Sequence, residues 1–237
     1  MEQLPQQQSQ SNSQPIRLNK FLAERLGVSR READNLIAAG KVLVNDVPAV
    51  LGARIDKTAE VCYNNQIIPF GVGYTYLLLN KPVGYVCSRR RQGEVPTVYE
   101  ILPEKYQNLK TVGRLDKDSS GVILLTNDGD FAFKMTHPKF AKNKVYEVRL
   151  NHPLQPLHQQ MIADFGIEIG DGVSKLGLIR LDDTREFWQV EMSEGRNRQI
   201  RRTFAALGYS VVALERKVFG KYALGDLKPG EFKLVLQ

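Results

Sequence analysis

Residues 113–121 read GRLDKDSSG and lead directly into residues 122–126, VILLT. A short apolar run bounded by turn residues is typical of a buried strand. The polar stretch before it places Asp116 in a loop at a strand end, where protein scaffolds commonly display reactive groups. Asp118 and the next three residues could equally form an ordinary turn, because Asp, Ser and Gly are common turn residues. Both interpretations stay open on this evidence.

The chain after residue 74 alternates many short strands with a few helices. Runs of strands with scattered helices are typical of an α+β fold, here with a mixed, largely antiparallel sheet and flanking helices. We predict helices near residues 129–136, 154–164 and 197–207, and strands at residues 76–82, 85–88, 122–126, 145–150, 175–181, 187–192, 209–214 and 232–236.

The chain before residue 74 differs in composition. Residues 1–15 are rich in Gln and Ser and lack apolar anchors, so we expect a disordered tail. Residues 16–70 predict a small domain of two short helices followed by strands, with Ser29 and Glu32 as a capping box. A glycine-containing linker at residues 70–73 then leads to a larger domain at residues 74–237.

The net charge of the chain limits the kinds of partner that it is expected to bind. The chain has 237 residues, a formal net charge of +7 and a pI of about 9.4, which favours nucleic acid or an anionic membrane surface. It lacks an apolar run of the roughly 20 residues that span a bilayer, and it begins without signal-peptide features. Its two cysteines and three histidines have neither disulfide-framework nor zinc spacing. We therefore expect a cytoplasmic protein that binds no metal.

Basic residues cluster in three places. Four arginines fall within residues 196–202, on a predicted helix, and Lys144 shares a strand face with Tyr146. A solvated helix and a core tyrosine are the simpler alternatives, although tyrosine also stacks on nucleobases. The third cluster follows the two helices of the front domain and suggests a phosphate-binding surface. Its members are Arg17, Lys20, Arg25, Arg30, Arg31 and Lys41, and all but Arg25 are candidate RNA-binding residues.

These motifs, in this order, resemble those of the RsuA-type family of ribosomal-RNA pseudouridine synthases. GRLDKDSSG resembles the catalytic motif of that family, KVYEV at residues 144–148 its K-x-Y motif and EGRNRQIRR at residues 194–202 its third motif. Residues 80–84, NKPVG, resemble its opening motif. Residues 16–70 resemble the S4-like RNA-binding domain that commonly precedes the catalytic domain.

The resemblance implies a reaction and roles for particular residues. By this resemblance, the protein is expected to isomerise a uridine in ribosomal RNA without a cofactor. Free RNA and an assembly intermediate both remain open as the substrate, and a monomer is the default expectation for the oligomeric state. Asp116 is then the catalytic carboxylate, Tyr146 stacks on the uracil and Arg201 pairs with Asp116. Base flipping is expected, because the reacting atoms are unreachable within a stack. The implied RNA-binding residues are Arg114, Leu214, Arg196, Arg198, Arg202 and Lys144, with the five basic residues of the front domain.

Three other functions compete with this one. A non-catalytic ribosome-assembly factor would share the charge and the front domain, but it would not need Asp116, Tyr146 and Arg201 together. A glycosidase using Asp116 and Asp118 would need its carboxylates at least roughly 5 Å apart across a sugar. A membrane-surface protein would need a basic amphipathic helix with exposed aromatic residues, which the sequence lacks.

Overall fold

The computed structural model describes residues 14–71 and 73–237, which divide into two compact units between Gly73 and Tyr74. Most of the predicted N-terminal tail, residues 1–13, lies outside the described residues. In the first unit, Ser29 begins the second helix by accepting a 3.0 Å hydrogen bond from the Glu32 backbone N–H. The elements of the first unit are β1 (Ile16–Arg17), α1 (Leu18–Arg25), α2 (Arg30–Ala38), β2 (Val42–Val44), β3 (Val47–Pro48), β4 (Arg54–Ile55), β5 (Val61–Tyr63) and β6 (Gln66–Ile67).

The elements of the second unit are β7 (Tyr76–Lys81), β8 (Lys110–Val112), β9 (Ser120–Thr126), α3 (Gly129–Thr136), β10 (Lys144–Leu150), α4 (Pro156–Gln160), β11 (Ile167–Glu168), β12 (Val173–Ser174), β13 (Gly177–Arg180), β14 (Phe187–Met192), α5 (Gln199–Ala205), β15 (Val211–Phe219), β16 (Tyr222–Ala223) and β17 (Phe232–Leu234). Nine of these strands form one sheet in the order β13-β14-β10-β15-β9-β7-β17, with β8 paired to β9 and β16 to β15. Among the described residues, β9 and β15 are the only parallel pair of this sheet, so the predicted α+β fold with a largely antiparallel sheet is confirmed.

The central strand β9 is buried on both faces of the sheet. Ile123 and Leu125 belong to the larger apolar core, whereas Val122 and Leu124 belong to a second core on the opposite face, where α3 packs through Phe131. A strand covered on both faces reads as a continuous apolar run rather than an alternating one. This double burial holds the loop before β9 on a rigid base.

The parallel contact between β9 and β15 depends on Gly121. Its φ is +100°, and a Cβ placed on it would lie 2.2 Å from the carbonyl oxygen of Arg216 and 2.6 Å from its backbone nitrogen. Real Cβ atoms do not approach backbone so closely. The last glycine of GRLDKDSSG therefore allows the two strands to pair at the start of β9.

We expect Gly121→Ala to lower the free energy of unfolding by more than about 3 kcal/mol, because either the sheet must open or the backbone must shift. Gly84→Ala is the matched control, since Gly84 has a φ of +95° but no atom within 4 Å of its Cβ position. That variant bears only the backbone strain, about 1 kcal/mol. Urea unfolding of both variants measures the difference, and equal losses would contradict the steric explanation.

Two strand predictions differ from the structure. Residues 85–88 form no strand; Val86 makes only an isolated bridge with Thr97. The strand predicted at residues 209–214 instead spans Val211–Phe219, because the charged residues in its second half face the interior or pair across the sheet. No helix among the described residues is long and apolar enough to cross a membrane.

Candidate active site

Hydrogen bonds to its backbone carbonyls hold the loop that carries Asp116. The buried ammonium of Lys81 donates to the carbonyl oxygens of Pro82 and Ser119, at 3.0 and 2.6 Å. The backbone N–H of Gly84 donates to the carbonyl of Lys117 at 2.8 Å. The NKPVG stretch therefore braces the loop between β8 and β9, and it fixes the position from which Asp116 projects.

Asp116 lines a cavity of about 680 Å³, a volume within the size range of ligand-binding sites. Tyr146 on β10 and Leu214 on β15 line the same cavity and are buried, whereas the Asp116 side chain is 33% exposed. Arg201 on α5 and the exposed Arg114 also lie on its wall. The structure therefore brings together the five residues that the sequence assigned to catalysis and target-nucleotide binding. Among the described residues, no group of three or more His, Cys, Asp or Glu side chains could hold a metal ion.

Two arginines meet the two carboxylates of the loop, but not in the expected pairs. Arg201 contacts Asp118, with Nε 3.2 Å from Oδ2 and Nη2 2.8 Å from the backbone carbonyl. Arg198 binds both oxygens of Asp118, at 3.1 and 3.0 Å, and lies 3.5 Å from Asp116. The expected pairing of Arg201 with Asp116 is therefore not observed. A 2.7 Å hydrogen bond from Arg201 to the Val211 carbonyl helps to hold its guanidinium at Asp118.

These contacts and burial shift the pKa values of Asp118 and Lys81. Burial alone would raise the pKa of Asp118, but the hydrogen bonds from Arg198 and the charges of Arg201 and Arg198 hold it below its usual value. Burial lowers the pKa of Lys81 to about 8, against the opposing attraction of nearby acidic groups. Asp118 is therefore an ionised anchor for two arginines, which leaves Asp116 as the less engaged carboxylate of the loop.

Three predicted RNA-binding residues are engaged within the protein. Lys144 donates to the carbonyls of residues 142, 193 and 194, at 3.1 to 3.2 Å. Arg196 and Arg202 both bind Asp171, and each also donates to backbone carbonyls. Their guanidinium groups therefore join α5 and the turn before it to the loop after β11. This differs from the solvated basic helix that was the simpler alternative, because most of their donors point to protein acceptors. Contact of these residues with RNA stays a prediction.

In the first unit, the predicted phosphate-binding residues stay at the surface. Arg17, Arg30, Arg31 and Lys41 are exposed and Lys20 is half-buried. Arg30 lies on α2 and donates to the Asn19 side chain of α1 at 3.2 Å. Four of the five predicted cations are therefore at the surface of this unit, and their binding of phosphate stays a prediction.

Sequence reasoning missed two buried cations of the second unit. Lys81 is fully buried, and Arg216 is 3% exposed, with its Nε bonded to the Val122 carbonyl at 2.8 Å. Their positions in the sequence could have indicated burial. Lys81 ends an apolar strand, and Arg216 lies two residues after Leu214 and therefore on the same strand face. Both brace the backbone around the cavity.

Comparison with known proteins identifies the two units. Residues 75–206 match the family model of RNA pseudouridylate synthase, and residues 16–61 match that of the S4 domain. The chain is 36% identical to ribosomal small subunit pseudouridine synthase A of Pasteurella multocida, over 92% of this chain and 95% of that protein.

Further relatives extend the same result. Ribosomal large subunit pseudouridine synthase B of Bacillus subtilis is 34% identical, over 91% of this chain and 90% of its own length. A crystal structure of a pseudouridylate synthase superposes with a TM-score of 0.66 at 32% identity, covering 93% of this chain and 96% of that one. The chain belongs to the RNA pseudouridylate synthase family and carries an S4 domain before its catalytic unit.

Proposed function

We propose that this enzyme isomerises a uridine of ribosomal RNA to pseudouridine, with Asp116 as the catalytic carboxylate. The observation that carries the proposal is the cavity in which Asp116, Tyr146, Leu214 and Arg201 meet, within a chain of this family. Relatives named for small- and large-subunit ribosomal RNA support the substrate class. The enzyme is proposed to work as a cytoplasmic monomer.

The chemistry moves one bond within the nucleotide. The bond between ribose C1′ and uracil N1 breaks, a bond between C1′ and C5 forms, and the proton leaves C5 while N1 gains one. Atoms balance without a redox partner, so no cofactor takes part. Asp116 acts at the junction of ribose and base, where an ionised carboxylate is required. Tyr146 and Leu214 hold the uracil while it turns.

Each arginine has a proposed task. Arg201 positions the loop of Asp116, because it joins α5 and β15 to the backbone of Asp118. Arg114 is exposed at the cavity and supports the RNA when the target nucleotide is flipped. Arg198 is 44% exposed and its charge favours the RNA backbone at the cavity. The basic residues of the S4 domain bind the phosphates of the RNA.

Tritium release tests this function directly. Transcripts of small- and large-subunit ribosomal RNA are made with uridine tritiated at C5, which loses its hydrogen only when C5 bonds to ribose. We expect the purified protein to release tritium from one of the two transcripts without an added cofactor. Binding to a transcript with no release from either one would contradict the enzymatic function and favour the assembly-factor alternative.

A further inference from the structure

Three aromatic rings lie together where α3 ends. The Phe133 ring centroid is 4.7 Å from that of His137 and 5.8 Å from that of Phe140. The Lys139 ammonium lies 5.4 Å from the Phe133 ring centroid and 4.8 Å from the Phe140 ring centroid. We refer to Phe133, His137 and Phe140 as the ring platform. It combines aromatic faces with a cation, as single-stranded nucleic-acid sites do.

The ring platform is incompletely covered by the catalytic unit. Phe133 is 48% exposed and His137 is exposed as well. A single exposed apolar side chain is ordinary on a protein surface. Here the exposed ring belongs to a cluster of three with a lysine above it, which provides both a stacking surface and a positive charge.

The ring platform continues into the wall of the catalytic cavity. His137, Thr136 and Pro138 line the cavity that Asp116 opens into. If a uridine is flipped into this cavity, the nucleotides beside it in the RNA must cross the cavity wall. The ring platform therefore lies within reach of an adjacent nucleotide.

Charge favours RNA over a protein partner at this surface. Residues 131–144 contain four lysines and no acidic residue. Lys142 lines the cavity and Lys139 is exposed beside the rings. An apolar protein partner would gain little from these lysines, whereas a phosphodiester next to a stacked base matches both features.

We propose that the ring platform stacks a base that flanks the target uridine, with Lys139 beside its phosphate. This inference rests on the proposed function, because it takes the flipped uridine in the cavity as its reference. It assigns α3 and the turn after it to substrate binding, so the platform contributes to RNA affinity and not to the chemical step.

Equilibrium binding of the full chain to the two ribosomal RNA transcripts tests the ring platform apart from turnover. We expect Phe133→Leu, which keeps an apolar side chain but removes the ring, to weaken binding to the modified transcript at least about fivefold. Phe133→Trp should bind at least as tightly as wild type. Phe165→Leu is the matched control, because Phe165 is 73% exposed on the same unit and does not line the cavity; it should bind as wild type does.

The outcomes separate the two proposals. Weaker binding by Phe133→Leu, with unchanged thermal unfolding and an unchanged single-turnover rate at saturating RNA, supports the ring platform. Equal affinities for Phe133→Leu and wild type, or equal losses for Phe133→Leu and Phe165→Leu, overturn it. Absent binding to both transcripts by wild type also overturns it. Ring-dependent binding without tritium release would retain the ring platform as an RNA-binding surface and overturn the proposed reaction.

Discussion

Asp116→Asn should lower the single-turnover rate of pseudouridine formation by at least about 10³-fold. An amide can neither attack as a carboxylate does nor accept a proton as readily, yet it has nearly the same shape. Asp116 has one ion contact, at 3.5 Å from Arg198, so its replacement removes little that holds the loop. We therefore expect binding to the ribosomal RNA transcript to stay within about twofold of wild type.

Tritium release under single-turnover conditions measures this loss, and filter binding measures the affinity. Asp183→Asn is the control for a change of charge alone, because Asp183 is fully exposed and its contact with Arg180 is a surface ion pair. Turnover by Asp116→Asn within tenfold of wild type would remove Asp116 from the reaction.

Arg201→Ala should lower the rate by at least about 100-fold, because a loop displaced by about 1 Å misplaces the catalytic group. The Arg201 side chain is 13% exposed and joins the Val211 carbonyl, the Asp118 carbonyl and the Asp118 carboxylate. Truncation removes the Arg201 donor from both carbonyls, whereas the Asp118 carboxylate keeps Arg198, so the midpoint of thermal unfolding should fall as well.

Arg198→Ala is the informative comparison for Arg201. Both arginines contact Asp118, but the Arg198 side chain is 44% exposed and its hydrogen bonds go to Asp118, whereas Arg201 also donates to β15. We expect a smaller loss of rate and a rise in the half-saturating RNA concentration, since the proposed role of Arg198 is in RNA binding. A larger loss of rate from Arg198→Ala than from Arg201→Ala would show that the charge beside Asp116 matters more than the anchoring of the loop.

Sequence reasoning predicted the parts of this fold whose patterns are local. Residues 122–126 form β9 because an apolar run bounded by turns fits a strand buried on both faces. Helix α3 follows for a similar reason, since Asp128 caps it by accepting from the backbone N–H groups of residues 130 and 131. Such elements are determined by neighbouring residues and need no knowledge of the rest of the chain.

The remaining features depend on contacts between distant segments. Arg201 and Asp118 are 83 residues apart, and only the packing of α5 against β15 and the catalytic loop decides which carboxylate Arg201 meets. The charged sequence of β15 concealed the second half of that strand, where Arg216 is buried and Lys217 lies 3.0 Å from Glu215. Spacing along the chain carries no information about such partners.

A map of pseudouridines in ribosomal RNA, made by carbodiimide modification and primer extension in cells with and without the protein, decides whether this chain modifies ribosomal RNA through Asp116. We predict that one site disappears without the protein and returns with the wild-type chain but not with Asp116→Asn. An unchanged map in both ribosomal RNAs, or restoration by Asp116→Asn, would contradict the claim.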